Sequence, residues 1–162
     1  MRNKRIWIFG GTASGKTTLA KKLSNKLKIP FESTDNFVYK TSFKIKYPEK
    51  TRDKKIEQFS KKKNWIIEGV HRADWILNAF AKSNFVIILK PRRLIQIKRV
   101  LTRELLDKKP KPIKDILTLI KYAWIYKKDN FIYHQKFIKE YNKRYIMLKN
   151  DKEISDFIKK IK

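Results

Sequence analysis

The chain has 162 residues, a formal net charge of +27, 41% hydrophobic residues and no cysteine. This length predicts a single domain over residues 1–162, and the apolar content excludes a disordered chain. The absence of cysteine excludes disulfides and thiolate metal sites, and it fits a reducing compartment. The first apolar run is too short for a signal peptide or a membrane span, so we expect a cytoplasmic protein.

The positive charge comes mainly from lysine, because only nine of the 42 basic residues are arginines. Such a charge attracts nucleic acid, anionic membranes and polyphosphates. Recognition of phosphates or bases at fixed geometry favours arginine, whereas these lysines are scattered along the chain. A nucleic-acid partner is therefore not favoured, no membrane partner is expected, and the oligomeric state is left open.

A glycine-rich stretch follows the first apolar run. Arg5–Phe9 is typical of a buried strand, residues 10–18 contain G-x-x-x-x-G-K-T, and apolar residues then recur at helical spacing through Lys28. In this strand–loop–helix arrangement, main-chain N–H groups converge on phosphate oxygens. We call residues 10–18 the phosphate loop. The sequence predicts nucleotide binding by all nine of them: Gly10, Gly11, Thr12, Ala13, Ser14, Gly15, Lys16, Thr17 and Thr18.

Two residues of this stretch carry chemistry beyond binding. Lys16 is expected to reach the β- and γ-phosphates as a catalytic residue, and the Thr17 hydroxyl to ligate Mg²⁺. The motif thus implies ATP as donor and Mg²⁺ as cofactor. A surface turn that fits the pattern by chance is the alternative, and the flanking strand and helix argue against it.

An acidic residue follows the second predicted strand. Phe31–Ser33 is a short strand, and Asp35 comes just after it, at the edge of the sheet where the phosphate loop lies. Asp35 is placed to meet a substrate hydroxyl or a metal-bound water, as a catalytic and substrate-binding residue. An Asx turn or a helix cap explains it equally well. Residues 37–50 indicate a substrate-covering loop or short helices, and a helix is expected over residues 51–63.

The third predicted strand, Trp65–Gly69, ends in a carboxylate. A carboxylate at this place in a nucleotide-binding sheet meets Mg²⁺ or its waters, so Glu68 joins Thr17 as a candidate for the metal site. Arg72 follows at the same edge and is a candidate for substrate binding, with pairing to a surface acid as the alternative. The neighbouring His71 is placed to contact substrate as well, although a lone histidine is more often structural.

A short helix over Ala73–Ala81 and a central strand over Asn84–Leu89 lead into an amphipathic helix. Its apolar stripe consists of Leu94, Ile97, Leu101 and Leu105. Its opposite face carries Arg92, Gln96, Arg99 and Arg103. Arg99 and Arg103 are candidate catalytic residues that neutralise charge on the transferred phosphoryl group, and a solvated basic face is the alternative.

The remainder continues the alternation of helix and strand. Residues 107–112 break the helix and suit the tip of a helical lid. A helix from Ile113 is expected to break near Asp129 and to resume through Tyr141, with its aromatic residues and His134 used for packing. Tyr145–Leu148 is the last strand, and a final helix turns Ile154, Phe157, Ile158 and Ile161 inward.

Several stretches together resemble the small adenylate kinase-like P-loop proteins of the DNA topology modulation type. They are residues 8–11 with 16–19, 33–35, 65–69, 91–92, 98–101 with 103, and 145–148. The family usually has aspartate where this chain has Glu68, and often an Asn-Tyr pair where it has Val70-His71. The resemblance implies an α/β three-layer sandwich: a five-stranded parallel sheet in the order 2-3-1-4-5, helices on both faces, and a short lid around residues 92–128 that holds Arg99 and Arg103.

Motif and resemblance together favour an ATP- and Mg²⁺-dependent small-molecule kinase. The expected acceptor is a nucleotide or nucleoside, with a hydroxylated metabolite second. The alternatives are a nucleic-acid-binding protein related to DNA topology modulation and a plain NTPase.

Overall fold

The computed structural model of the protein describes residues 3–41, 45–71, 73–107, 111–126 and 130–161. The strands in these ranges are β1 (Arg5–Gly10), β2 (Phe31–Ser33), β3 (Tyr39–Thr41), β4 (Ile45–Lys46), β5 (Trp65–Gly69), β6 (Phe85–Leu89) and β7 (Tyr145–Leu148). The α-helices are α1 (Lys16–Leu27), α2 (Thr34–Val38), α3 (Glu49–Ser60), α4 (Leu77–Ala81), α5 (Arg93–Leu106), α6 (Ile113–Ile125), α7 (Asn130–Glu140) and α8 (Asp151–Lys160). A 3₁₀ turn over Asp74–Ile76 precedes α4.

The centre of the fold is a five-stranded sheet with the neighbour order β2-β5-β1-β6-β7. All four neighbouring pairs in it are parallel. Numbered among themselves, these strands stand in the order 2-3-1-4-5, so the predicted α/β fold and strand order are confirmed. β1 lies in the middle, which brings the loop after it to the centre of the carboxyl edge of the sheet.

Apolar residues on both faces of the sheet hold helices against it, as a parallel sheet requires. On one face, Trp7 and Phe9 pack with Ile56 of α3, Phe80 of α4 and Phe137 of α7. The other face packs against α1 and α8 through Leu19, Leu23, Ile154 and Phe157. The alternation of side chains along β1 sends its residues to opposite cores, and the result is the predicted three-layer arrangement.

The segment between β2 and β5 contains more regular structure than a covering loop. α2 follows β2 directly, and β3 pairs with β4 in a separate antiparallel hairpin. α3 runs from Glu49 to Ser60, two residues earlier at its start and three at its end than the predicted 51–63. Apolar spacing does not define where a helix begins and ends to within a few residues.

The apolar stripe of α5 does not face a core. Leu94 is 77% and Leu105 84% exposed, whereas the buried residues of this helix are Gln96, Val100 and Glu104. The helix packs against α6 and the phosphate loop. The backbone of that loop presents carbonyl oxygens that need hydrogen-bond donors, and a leucine side chain has none. The buried face of α5 is therefore the one that carries hydrogen-bonding side chains.

The aromatic residues between the start of α6 and the end of α7 are partly buried and partly exposed. Tyr126, Phe131 and His134 are buried as predicted, but Tyr122 and Trp124 are more than half exposed. The expectation that all of them serve packing was therefore wrong for these two. Because α6 lies against α5 and away from the sheet, only its C-terminal end reaches the core.

Candidate active site

The loop between β1 and α1 has the backbone conformation that converging N–H groups require. Gly15 lies at φ 94° and Ala13 at φ 54°, both in the left-handed region, and α1 begins at Lys16. Ser14 N donates to Gly11 O at 3.2 Å, which closes the turn. A non-glycine residue in this region costs energy, so the contacts around Ala13 must hold it there.

Two glycines of the loop are required by close packing. A Cβ on Gly10 would lie 2.5 Å from Ser14 Oγ, and one on Gly11 would lie 2.7 Å from Cγ of Tyr126. The Ser14 hydroxyl is buried and has no hydrogen-bond partner among the described residues. An orphaned hydroxyl inside a cradle of backbone amides suits a ligand with phosphate oxygens.

The two metal-site candidates touch each other. The Thr17 hydroxyl donates to Glu68 Oε1 at 2.9 Å, and Glu68 is only 3% exposed at the end of β5. Oxygen ligands of this kind suit Mg²⁺, which takes few protein ligands and keeps waters and phosphate oxygens for the rest. Among the residues described here, no group of three or more His, Cys, Asp or Glu side chains forms a larger cluster.

Lys16 lies beside this pair. Its Nζ donates to Gly11 O at 3.0 Å. Burial lowers the pKa of the Lys16 amine, while the carboxylates of Glu68 and Asp35 oppose that effect. Lys16 is therefore within electrostatic reach of both carboxylates predicted to act at this edge of the sheet.

Asp35 lies in the first turn of α2, where Ser33 caps the helix by accepting from Asp35 N at 3.3 Å. Its Oδ1 is 3.0 Å from His71 Nε2, and the His71 ring meets the Trp75 ring edge-on at 5.3 Å between centroids. The Asp35 side chain is thus free of the cap and held by a histidine that sequence reasoning treated as structural. Nothing in the sequence pairs positions 35 and 71, except that both follow strands at the same edge.

The arginine candidates on α5 meet two different environments. Arg99 Nη1 donates to Ser14 O of the loop at 3.2 Å, and its Nη2 pairs with Asp151 at 2.6 Å. Arg103 instead pairs with the buried Glu104, 3.0 Å away on its own helix. Lys111 also binds Glu104, so the pKa of that carboxyl is lowered chiefly by the Lys111 hydrogen bond, against the effect of burial.

Most of these residues line one cavity of about 1270 Å³. Residues 12–18, Asp35, Arg99 and Arg103 form part of its wall, and Glu68 lies behind Thr17. The α6 residues Thr118 and Tyr122 also line it, which sequence analysis did not anticipate. Arg72 lies outside the described residues.

No helix in the described part of the chain is both long and apolar enough to cross a membrane. No protein-family model matches the chain, and no curated protein sequence matches it significantly.

Solved structures do match over nearly the whole chain. A shikimate kinase from Bacteroides thetaiotaomicron shares 18% identity, with a TM-score of 0.57 over 96% of this chain and 94% of that one. A gluconokinase from Sinorhizobium meliloti shares 10%, with a TM-score of 0.56 over 98% and 89%. An uncharacterized protein from Eubacterium ventriosum shares 20%, with a TM-score of 0.55 over 97% of each chain. At such identities the similarity establishes a shared architecture: the chain has the α/β fold of the P-loop kinases.

Proposed function

We propose that the protein is a magnesium-dependent phosphotransferase that moves the terminal phosphoryl group of ATP to a hydroxyl group of a small acceptor. The observation that carries this proposal is the juxtaposition of Lys16, the Thr17–Glu68 pair and Asp35 at the mouth of the phosphate loop. Donor-binding, metal-binding and proton-accepting groups are all needed for such a transfer.

On the donor side, the loop amides and Lys16 hold the β- and γ-phosphates. Thr17 and Glu68 would hold Mg²⁺, and the metal would offset the negative charge of the phosphates. Arg99 now bonds a loop carbonyl and Asp151, and it is close enough to the loop to turn toward the transferred group. Arg103 is the second candidate for that role, and Arg72 remains a candidate for binding the acceptor.

On the acceptor side, Asp35 favours a hydroxyl over a phosphate. A hydroxyl must lose its proton as its oxygen bonds to phosphorus, and the Asp35 carboxylate takes that proton while ADP leaves. A phosphate acceptor has no such proton to lose and would be repelled by the carboxylate. A nucleoside is therefore a better acceptor than a nucleoside monophosphate. The shared fold with proteins named for shikimate and gluconate supports a small hydroxylated molecule equally.

An ADP-release screen with matched acceptors tests the proposal. Adenosine is compared with AMP, thymidine with dTMP, and shikimate and gluconate stand for other hydroxylated acceptors. We expect at least one hydroxyl acceptor to stimulate ADP release by the wild-type protein. The Asp35→Asn variant should lose that stimulation. ADP release at one rate with every acceptor would indicate a plain NTPase, and stimulation by monophosphates alone would refute the acceptor assignment.

The charge of +27 supports a second candidate, a nucleic-acid-binding protein. Salt dependence separates the two. A duplex binder with several phosphate contacts loses about 10³-fold or more in affinity between about 50 and 200 mM salt. A kinase reaction with a small acceptor in this cavity is expected to change far less over that range.

A further inference from the structure

We infer that Gln96 is a positioning residue for the phosphate loop: it holds the Thr12 carbonyl outward and thereby aims the Ala13 amide at bound phosphate. The inference rests on the proposed function, because the loop must bind a nucleotide for its amides to matter. It assigns a role to a side chain that does not itself touch the nucleotide.

Gln96 is the buried polar centre of the α5 face that meets the loop. It is only 1% exposed, and its Nε2 donates to Thr12 O at 2.9 Å across 84 positions of sequence. A buried amide without a partner is costly, so this bond is maintained whenever the helix is in place.

The geometry of the peptide unit links this bond to the ligand side of the loop. The Thr12 carbonyl and the Ala13 N–H belong to one planar trans peptide, so they point in opposite directions. A donor that fixes the carbonyl on the α5 side therefore fixes the amide on the other side. Ala13 has φ 54°, a strained conformation that persists only where neighbouring contacts determine it.

Two other loop carbonyls, those of Gly11 and Ser14, accept from cationic side chains that a phosphate can draw away. Lys16 Nζ donates to Gly11 O, and Arg99 Nη1 donates to Ser14 O. Both are cations next to the site, and both are candidates to move onto phosphate oxygens. Gln96 is neutral and enclosed, so its bond is expected to persist when the nucleotide binds, unlike those of the two cations.

The loop is also supported by the residue that follows α6. The Tyr126 ring packs so closely on Gly11 that a Cβ there would lie 2.7 Å from it. Tyr126 is 2% exposed and hydrogen-bonds His134 Nδ1 at 3.1 Å, so this support is rigid. With Gly11 fixed below and Thr12 fixed by Gln96, the first half of the loop is preorganised for an anion.

Calorimetry on Gln96→Met tests the inference. Methionine has nearly the same length and no N–H donor. Loss of one neutral hydrogen bond is expected to weaken binding of Mg·ATP and of inorganic tripolyphosphate alike by about three- to tenfold. The matched control is Gln135→Met on the exposed face of α7, which should bind both as the wild type does. In turnover, the KM for ATP should rise while the KM for the acceptor stays constant.

A purely structural role predicts a lower melting temperature with unchanged affinity at about 20 °C, and that result would overturn the inference. If Gln96→Met does not fold, Gln96→Glu replaces it, because a carboxylate of the same shape repels the Thr12 carbonyl and should weaken binding further. Wild-type affinity in a folded Gln96 variant overturns the positioning role alone. Absence of any binding by the wild type overturns both this role and the proposed function.

Discussion

Two regions of the molecule bury opposite kinds of side chain. One is the sheet with its phosphate loop, and the other is the α5–α6 pair. In the sheet, β1, β5 and β6 bury apolar residues almost without interruption, and the one buried charged side chain of these strands, Glu68, stands near the carboxyl end of β5. In α5, Gln96 and Glu104 are buried while Leu94 and Leu105 are exposed. The difference follows from what each region packs against: helices cover the sheet, whereas α5 meets a backbone turn and α6.

This contrast separates the two parts of the site. The sheet places the loop, Glu68 and Asp35 by apolar packing, which is insensitive to the ligand. The α5–α6 pair meets the site through hydrogen bonds and ion pairs, which a charged ligand can exchange. The following variants test the contrast, beginning with the largest expected effect.

Lys16→Ala should lower turnover by about 10³-fold or more, because it removes the charge nearest the transferred phosphate. The fold should survive, since Gly11 O keeps its bond from Ser14 N. Steady-state ADP release and a thermal melt measure the two effects. Turnover at the wild-type level in a folded variant would contradict the role of the loop.

Ile87→Ala removes an apolar side chain that is fully buried in β6. We expect a loss of about 2 to 5 kcal/mol in the free energy of unfolding. Leu105→Ala is the matched change on α5, where the side chain is 84% exposed, and it should cost no more than about 0.5 kcal/mol. Urea titrations give both values, and equal losses would show that the α5 stripe is buried in solution.

Gly69→Ala should cost about 1 to 3 kcal/mol by overpacking. A Cβ at this position would collide with Thr34 Oγ1, so the start of α2 must shift and carry Asp35 with it. Acceptor-stimulated turnover should therefore fall more than ATP affinity. Adding Thr34→Ala removes the colliding hydroxyl, and failure to recover any stability would argue against this contact.

Lys111→Met should cost about 1 to 2 kcal/mol at neutral pH, because Glu104 loses its main partner and keeps only Arg103. The pKa of Glu104 is lowered in the folded protein from its ordinary value of 4.5. The stabilisation is therefore present above about pH 4.5 and is lost as the pH falls through the folded pKa. Melting curves at about pH 7 and pH 3 should show the gap between variant and wild type shrinking in acid.

Local patterns predicted most of the framework. The apolar runs fixed the five strands of the sheet, and the resemblance supplied their order. The loop between β1 and α1 was predicted because its glycines, lysine and threonine occur in one continuous stretch. The roles of Lys16, Thr17, Asp35, Glu68, Arg99 and Arg103 remain proposals, although the structure brings their side chains to one edge of the sheet.

Contacts between distant positions were beyond prediction. No spacing rule joins His71 to Asp35, Gln96 to Thr12, or Gly69 to Thr34. The exposed leucines of α5 show the same limit, since periodicity reveals that a helix has two faces and not which of them is covered.

The sequence by itself determined a glycine-rich loop between a buried strand and a helix, because that loop is made of nine consecutive residues and backbone groups. Only the tertiary structure decided which side chains support the loop and hold Asp35. Those partners lie 36 to 85 positions apart in the chain, and folding the sheet is what brings them within hydrogen-bond distance.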